Sequence, residues 1–121
     1  TTLMKKLLGI VVLGLLLSVN SYSKEYGTAG MITQKCSRIL EFKEKLKERL
    51  DQEILTVANA YWSGMNSSNL KFGEKLRNLA YDDTNYKIAY ILNYCKKNPD
   101  KTLGYALDIY YLDLPFCKDG C

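Results

Sequence analysis

The chain has 121 residues with 17 Lys plus Arg against 13 Asp plus Glu, 47% apolar residues, four Cys and no His. That length allows one small domain and not two. Without a single His, the Ser-His-Asp and Cys-His arrangements, His-containing zinc sites and facial-triad iron sites are excluded. No cofactor or metal is therefore expected.

The N-terminal stretch opens the chain order. Thr1, Thr2 and Leu3 precede a natural start at Met4; Met4-Lys5-Lys6 is a short cationic region, and Leu7 to Leu17 is apolar apart from Gly9 and Gly14. The run spans about 11 residues, short of the roughly 20 that cross a bilayer. Small Ser residues at Ser21 and Ser23 suit peptidase cleavage after Ser23. Residues 1–23 thus read as a signal peptide, leaving no stable membrane anchor once it is removed. Its removal takes away Lys5 and Lys6, so 15 basic residues face 13 acidic ones, a net +2. That charge is too mild to imply a nucleic-acid partner. An exported chain with an even number of Cys is expected to form disulfides, and the four Cys allow three pairings that spacing alone does not separate.

Residues 24–32 include Tyr26-Gly27-Thr28-Ala29-Gly30 and no apolar period, which predicts a flexible leader. A helical domain is expected over 33–114, starting with Thr33 as N-cap. Cys36, Ile39, Leu40, Leu46, Leu50, Ile54, Val57, Ala58 and Tyr61 recur there at helical spacing. One helix of that length would be about 45 Å long, too long for so small a domain, so a break is expected near Arg49 to Asp51. The cluster Gly64, Asn66, Ser67, Ser68 and Asn69 predicts the end of the second helix, and a short helix is expected around Glu74 to Leu79. Asp82-Asp83-Thr84 has the composition of a helix N-terminus ahead of Tyr86 to Lys97. Asn98 as N-cap and Pro99 at the first helical position predict a last helix to Leu112, ended by Pro115. Residues 115–121 form a Cys-containing tail. The fold class is all-α, a small disulfide-bonded bundle of four to five short helices.

Counted at 100° per residue, Ile88, Ile91, Leu92 and Cys95 share one face of the Tyr86 to Lys97 helix, and Tyr86, Tyr90 and Tyr94 form a second stripe. In the last helix Leu103, Ala106, Leu107 and Tyr110 share a face, with Tyr105, Ile109 and Leu112 on another. Either both faces are buried at the centre of a bundle, or the tyrosines form a surface for a protein partner, as amphipathic Tyr often does. Tyr86, Tyr90, Tyr94, Tyr105 and Trp62 are the candidates for such a surface, with Tyr86 expected to be exposed and Tyr94 buried beside Cys95. The bland alternative for Trp62 is packing in the core.

Three segments carry a family resemblance: Cys36 near the start of the first helix, Tyr61-Trp62-Ser63-Gly64-Met65-Asn66, and Tyr94-Cys95-Lys96-Lys97-Asn98-Pro99. Their order resembles the HdeA/HdeB family of small periplasmic acid-stress chaperones and their uncharacterised secreted relatives, from Cys36 to about Ala106. The resemblance implies a disulfide between Cys36 and Cys95, closing a loop of about 60 residues worth roughly 4 kcal/mol. Cys117 and Cys121, which have no counterpart in the family pattern, are then left to pair across Lys118-Asp119-Gly120. It also implies a stress-response function in the periplasm, in which acid uncovers apolar and aromatic surface that holds unfolding proteins. The alternative is a module that stays folded and binds one protein, such as an immunity protein against a secreted toxin. A homodimer is open on either reading. An enzyme ranks last, because no nucleophile and base can be named as a pair.

Overall fold

A computed structural model describes residues 5, 6, 28–119 and 121. The chain separates into two units, 1–30 and 31–121. The expected signal peptide over 1–23, apart from Lys5 and Lys6, lies outside the described residues, as do 24–27 and Gly120. Among the described residues from Thr28 on, five helices follow in order: α1 (Thr28–Ile32), α2 (Cys36–Leu46), α3 (Glu48–Lys71), α4 (Thr84–Lys97) and α5 (Leu103–Asp113). Among the described residues there is no strand, only isolated bridges of Lys35 with Thr102 and Arg77 with Phe116. The molecule is a disulfide-bonded all-α bundle.

Each helix boundary has a local cause. The leader expected over 24–32 instead forms α1 over its last five residues, and Met31 packs against the core. α2 begins at Cys36 rather than after Thr33, and no side chain caps it. Its first N–H groups are satisfied by the turn before α5: Cys36 donates to the Lys101 carbonyl at 2.7 Å and Ser37 to that of Pro99 at 3.0 Å. Tertiary carbonyls thus fill the place of a cap. The same bonds explain why α5 does not start at Pro99. Leu103 donates to Gln34 at 2.9 Å instead of back to Pro99, so 98–101 forms a turn and Thr102 becomes the N-cap, accepting from Tyr105 at 3.2 Å. Asn98 ends α4, its side chain donating to the Tyr94 carbonyl at 3.0 Å.

The break expected at Arg49 to Asp51 lies earlier, at Lys47, whose φ of 51° and ψ of −124° interrupt the helical path between α2 and α3. Lys43 spans it, its ammonium 2.7 Å from Asp51. Polar residues 63–69 do not end α3, which continues through them to Lys71. Ser63, Gly64, Ser67 and Ser68 lie on its exposed face, where they cost little. Termination comes at Gly73, with φ of 71°. Gly73 donates to Leu70 at 3.2 Å and Glu74 to Asn69 at 2.8 Å, the two bonds of a Schellman motif. No helix forms over 74–79; Asn78 donates to Pro115 and Cys117 donates to Leu76, both at 2.8 Å. α4 starts as its composition suggests, with the Asp83 carboxylate accepting from the Tyr86 N–H at 2.8 Å.

Both implied disulfides are present, Cys36 to Cys95 with Cα atoms 4.7 Å apart and Cys117 to Cys121 with Cα atoms 5.4 Å apart. They fit a non-reducing compartment. Among the described residues no helix is long and apolar enough to cross a membrane. The core is Cys36 and Ile39 of α2; Leu50, Ile54, Val57, Ala58 and Trp62 of α3; Ile91 and Cys95 of α4; and Leu103, Ala106, Leu107, Tyr110 and Tyr111 of α5, closed by Leu114. No charged side chain is buried among the described residues. α4 packs on α2, α3 and α5, and α5 packs on α3 and α4.

Gly104 marks where residues 31–34 pass closest to α5: a β-carbon built there would lie 2.7 Å from Ile32 Cγ2 and 3.2 Å from the Ile32 carbonyl oxygen. Around Gly64 nothing lies within 4 Å. Gly104→Ala should therefore destabilise by about 1–3 kcal/mol as an overpacked contact. Gly64→Ala, in an exposed helix interior, should instead stabilise by about 0.5–1 kcal/mol. Thermal melts of the two variants check the opposite signs.

Candidate functional site

The tyrosine stripe of α4 faces outward at its start and turns into a shallow groove. Tyr86, Ala89, Tyr90, Asn93, Tyr94 and Lys97 line a cavity of about 330 Å³. Tyr86 is 53% exposed, whereas Tyr90 and Tyr94 are half-buried. Tyr94 is not sealed against the disulfide as expected from its neighbour Cys95; its ring stacks on Tyr105 of α5, with centroids 6.2 Å apart, and Tyr105 remains 44% exposed. The Lys101 ammonium sits 4.7 Å over the Tyr105 ring. Tyr86, Tyr90, Tyr94 and Tyr105 are thus brought to one side of the α4–α5 pair. Neither helix buries both its faces.

Trp62 is not part of this surface. It is fully buried, its indole N–H donates to the Leu107 carbonyl at 3.0 Å, and its ring lies 4.6 Å from that of Tyr110. A phenyl-sized contact plus a satisfied donor is what a buried Trp requires. Tyr110 in turn meets Tyr90 edge-on at 5.1 Å, and Tyr90 lies 6.4 Å from Tyr86. A continuous row of rings therefore runs from the core to the surface.

Three carboxylates that anchor tyrosines escape a sequence reading. Tyr61 donates to Asp108 at 2.5 Å, Tyr90 to Asp113 at 2.8 Å, and Tyr110 to Asp82 at 2.8 Å. Asp108 and Asp113 stand out only as acids in an otherwise apolar α5. Asp82 reads as part of a helix N-terminus, and it is Asp83 alone that caps. These bonds hold the phenols in their protonated form. The hydrogen bond to Asp108, helped by burial, pushes Tyr61 up from 10.0 to about 12. Burial, then the bond to Asp113, pushes Tyr90 to about 12. Burial, followed by the bond to Asp82, raises Tyr110 further.

The remaining motif residues are structural. Asn66 pairs with the Arg77 backbone through both ends of its amide, accepting from the N–H at 3.0 Å and donating to the carbonyl at 2.9 Å. It also accepts from the Tyr111 hydroxyl at 2.6 Å. Arg77 donates to the Leu112 and Leu114 carbonyls at 3.2 and 2.8 Å, satisfying the end of α5, and its guanidinium lies 4.0 Å over Phe116. Pro99 supplies the carbonyl that Ser37 binds, and Gly64 is an exposed helical position. Large apolar side chains are exposed at Leu70, Phe72, Leu112 and Phe116. Among the described residues, no group of three or more Cys, Asp or Glu could hold a metal ion. No protein-family model, curated protein or solved structure matches the chain.

A phenol whose proton is held more tightly in the folded state adds stability that is complete below its unfolded value near 10.0 and lost as pH rises through about 12. Stability should therefore fall across that window, and Tyr61→Phe should flatten the decline. Urea unfolding at stepped alkaline pH, with an unchanged slope in both proteins, checks it.

Proposed function

We propose that the chain is a periplasmic or secreted stress protein that holds unfolding polypeptides after acidification. The observation that carries this reading is the use of carboxylates as the acceptors that anchor aromatic residues. The bonds of Tyr61 to Asp108, Tyr90 to Asp113 and Tyr110 to Asp82 tie α3, α4 and the loop before α4 to α5. Protonating those acceptors converts charge-assisted bonds into ordinary ones, about half as strong. At the same time the mature charge rises from +2 towards +15 as 13 carboxylates are neutralised. Self-repulsion then loosens a small core, and the Cys36–Cys95 bond limits how far it opens. Trp62, Tyr110 and Tyr111 are the aromatic area this would uncover, next to Leu112 and Phe116, which are already exposed. The clients are proteins, not nucleic acid, and no residue is assigned a catalytic role. The cationic and apolar start of the chain supports export.

The groove over Tyr86, Tyr90 and Tyr94 favours a second reading, a module that stays folded and binds one protein partner through a preformed aromatic surface, as an immunity protein does.

Near-UV and far-UV circular dichroism with a hydrophobic dye, from neutral pH to about pH 2, separates the two. The holdase reading expects tertiary signal to vanish with helical signal retained, dye to bind, and aggregation of an acid-denatured client to be suppressed. Tertiary signal that persists to the acid limit without dye binding would defeat it and favour the folded binder.

A further inference from the structure

The row Trp62, Tyr110, Tyr90 and Tyr86 has successive centroid separations of 4.6, 5.1 and 6.4 Å, running from a fully buried indole to a phenol that is 53% exposed. We propose that this row carries one-electron oxidation outward from the core and makes Tyr86 the residue at which the protein is oxidatively modified.

The proton partners set the first step, out of Trp62, and irreversible coupling at the exposed Tyr86 draws the last. Oxidised Trp62 must shed its indole proton to become neutral, but that N–H faces the Leu107 carbonyl, which is no base. The Lys87 ammonium, 5.8 Å from the same ring, further disfavours a positive charge there. Tyr110 has what Trp62 lacks. Its phenol gives an electron to the indole radical cation and its proton to the Asp82 carboxylate 2.8 Å away, restoring Trp62 and leaving a neutral phenoxyl. Tyr90 then gives an electron to Tyr110 and a proton to Asp113, while Tyr110 takes its own proton back from Asp82. Tyr86 repeats the step with water as proton acceptor, and Tyr90 recovers its proton from Asp113. The net change is one electron lost to an external one-electron oxidant and one proton lost from Tyr86. Two such phenoxyls from two copies of the chain join through a carbon–carbon bond and rearomatise to dityrosine, with no further electron lost. The buried indole is regenerated in each pass.

The sequence contains a single Trp, so light at the red edge of aromatic absorption ionises Trp62 selectively in the intact, disulfide-bonded protein, with an inert cobalt complex taking the ejected electron irreversibly. Transient absorption should show the indole radical decaying as a phenoxyl grows in, and peptide mapping should find dityrosine at Tyr86. In Tyr110→Phe, which keeps the ring but removes the oxidisable phenol, the indole radical should persist and the Tyr86 product should be largely lost. Tyr90→Phe should still form a phenoxyl but lose the Tyr86 product; it changes a half-buried residue and serves should Tyr110→Phe fail to fold. Tyr105→Phe, which lies off the row, should leave the yield unchanged. Undiminished Tyr86 product in Tyr90→Phe, or a native product mapped to Tyr61 or Tyr111 instead, would overturn the proposal.

Discussion

The Cys36–Cys95 bond is the constraint on which the domain rests. It joins residues 59 apart in sequence, both fully buried, and so fixes the first turn of α2 against the last turn of α4. With those ends held, the turn over 98–101 can offer its carbonyls to the uncapped N–H groups of α2, and the chain leaving that turn must enter α5 at Thr102. α5 then packs on both α3 and α4, and its apolar residues complete a core that a domain of this size could barely sustain by burial alone. The small Cys117–Cys121 loop has no such reach; the tail is held instead by main-chain bonds to residues 76–78.

What could be read from the sequence was local chemistry. Asp83 ahead of an apolar-periodic run is a sufficient N-cap in any surroundings, so the start of α4 was legible. The all-α class followed from periodicity, and the order of the motifs around Cys36 and Cys95 pointed to the right pairing. The misplaced boundaries were those decided by distant partners. Pro99 suits a first helical position, yet its carbonyl binds Ser37, so the helix waits for Thr102. Asn66 looks like a helix breaker, but its amide bonds the Arg77 backbone from within α3, and the exposed Ser and Gly around it do not stop a helix held by Trp62 on its other face. Lys47 adopts a positive φ with no Gly or Pro to announce it. For the site, a helical count puts Tyr86, Tyr90 and Tyr94 on one stripe, and the three line one groove. It could not supply Asp82, Asp108 or Asp113 as phenol acceptors, because each lies on a different element from the Tyr it binds.

Those acceptors give the domain an uneven chemistry. Among the described residues its apolar centre contains no charge, while Tyr61, Tyr90 and Tyr110 around that centre are anchored to carboxylates. Hydrogen bonds to charged acceptors are strong at neutral pH and depend on that charge. Tyr90, held by Asp113, belongs both to the row of rings that ends at Tyr86 and to the groove lined by tyrosines.

One long-range crosslink holds residues 31–121 in this packing, a dependence tested most directly by urea unfolding of the oxidised protein beside a Cys36→Ala/Cys95→Ala variant with the tail disulfide intact. Closing a loop of about 60 residues predicts a loss of roughly 4 kcal/mol, enough to leave the variant largely unfolded or molten at neutral pH. A variant that unfolded at nearly the same urea concentration, with native near-UV signal, would contradict the account.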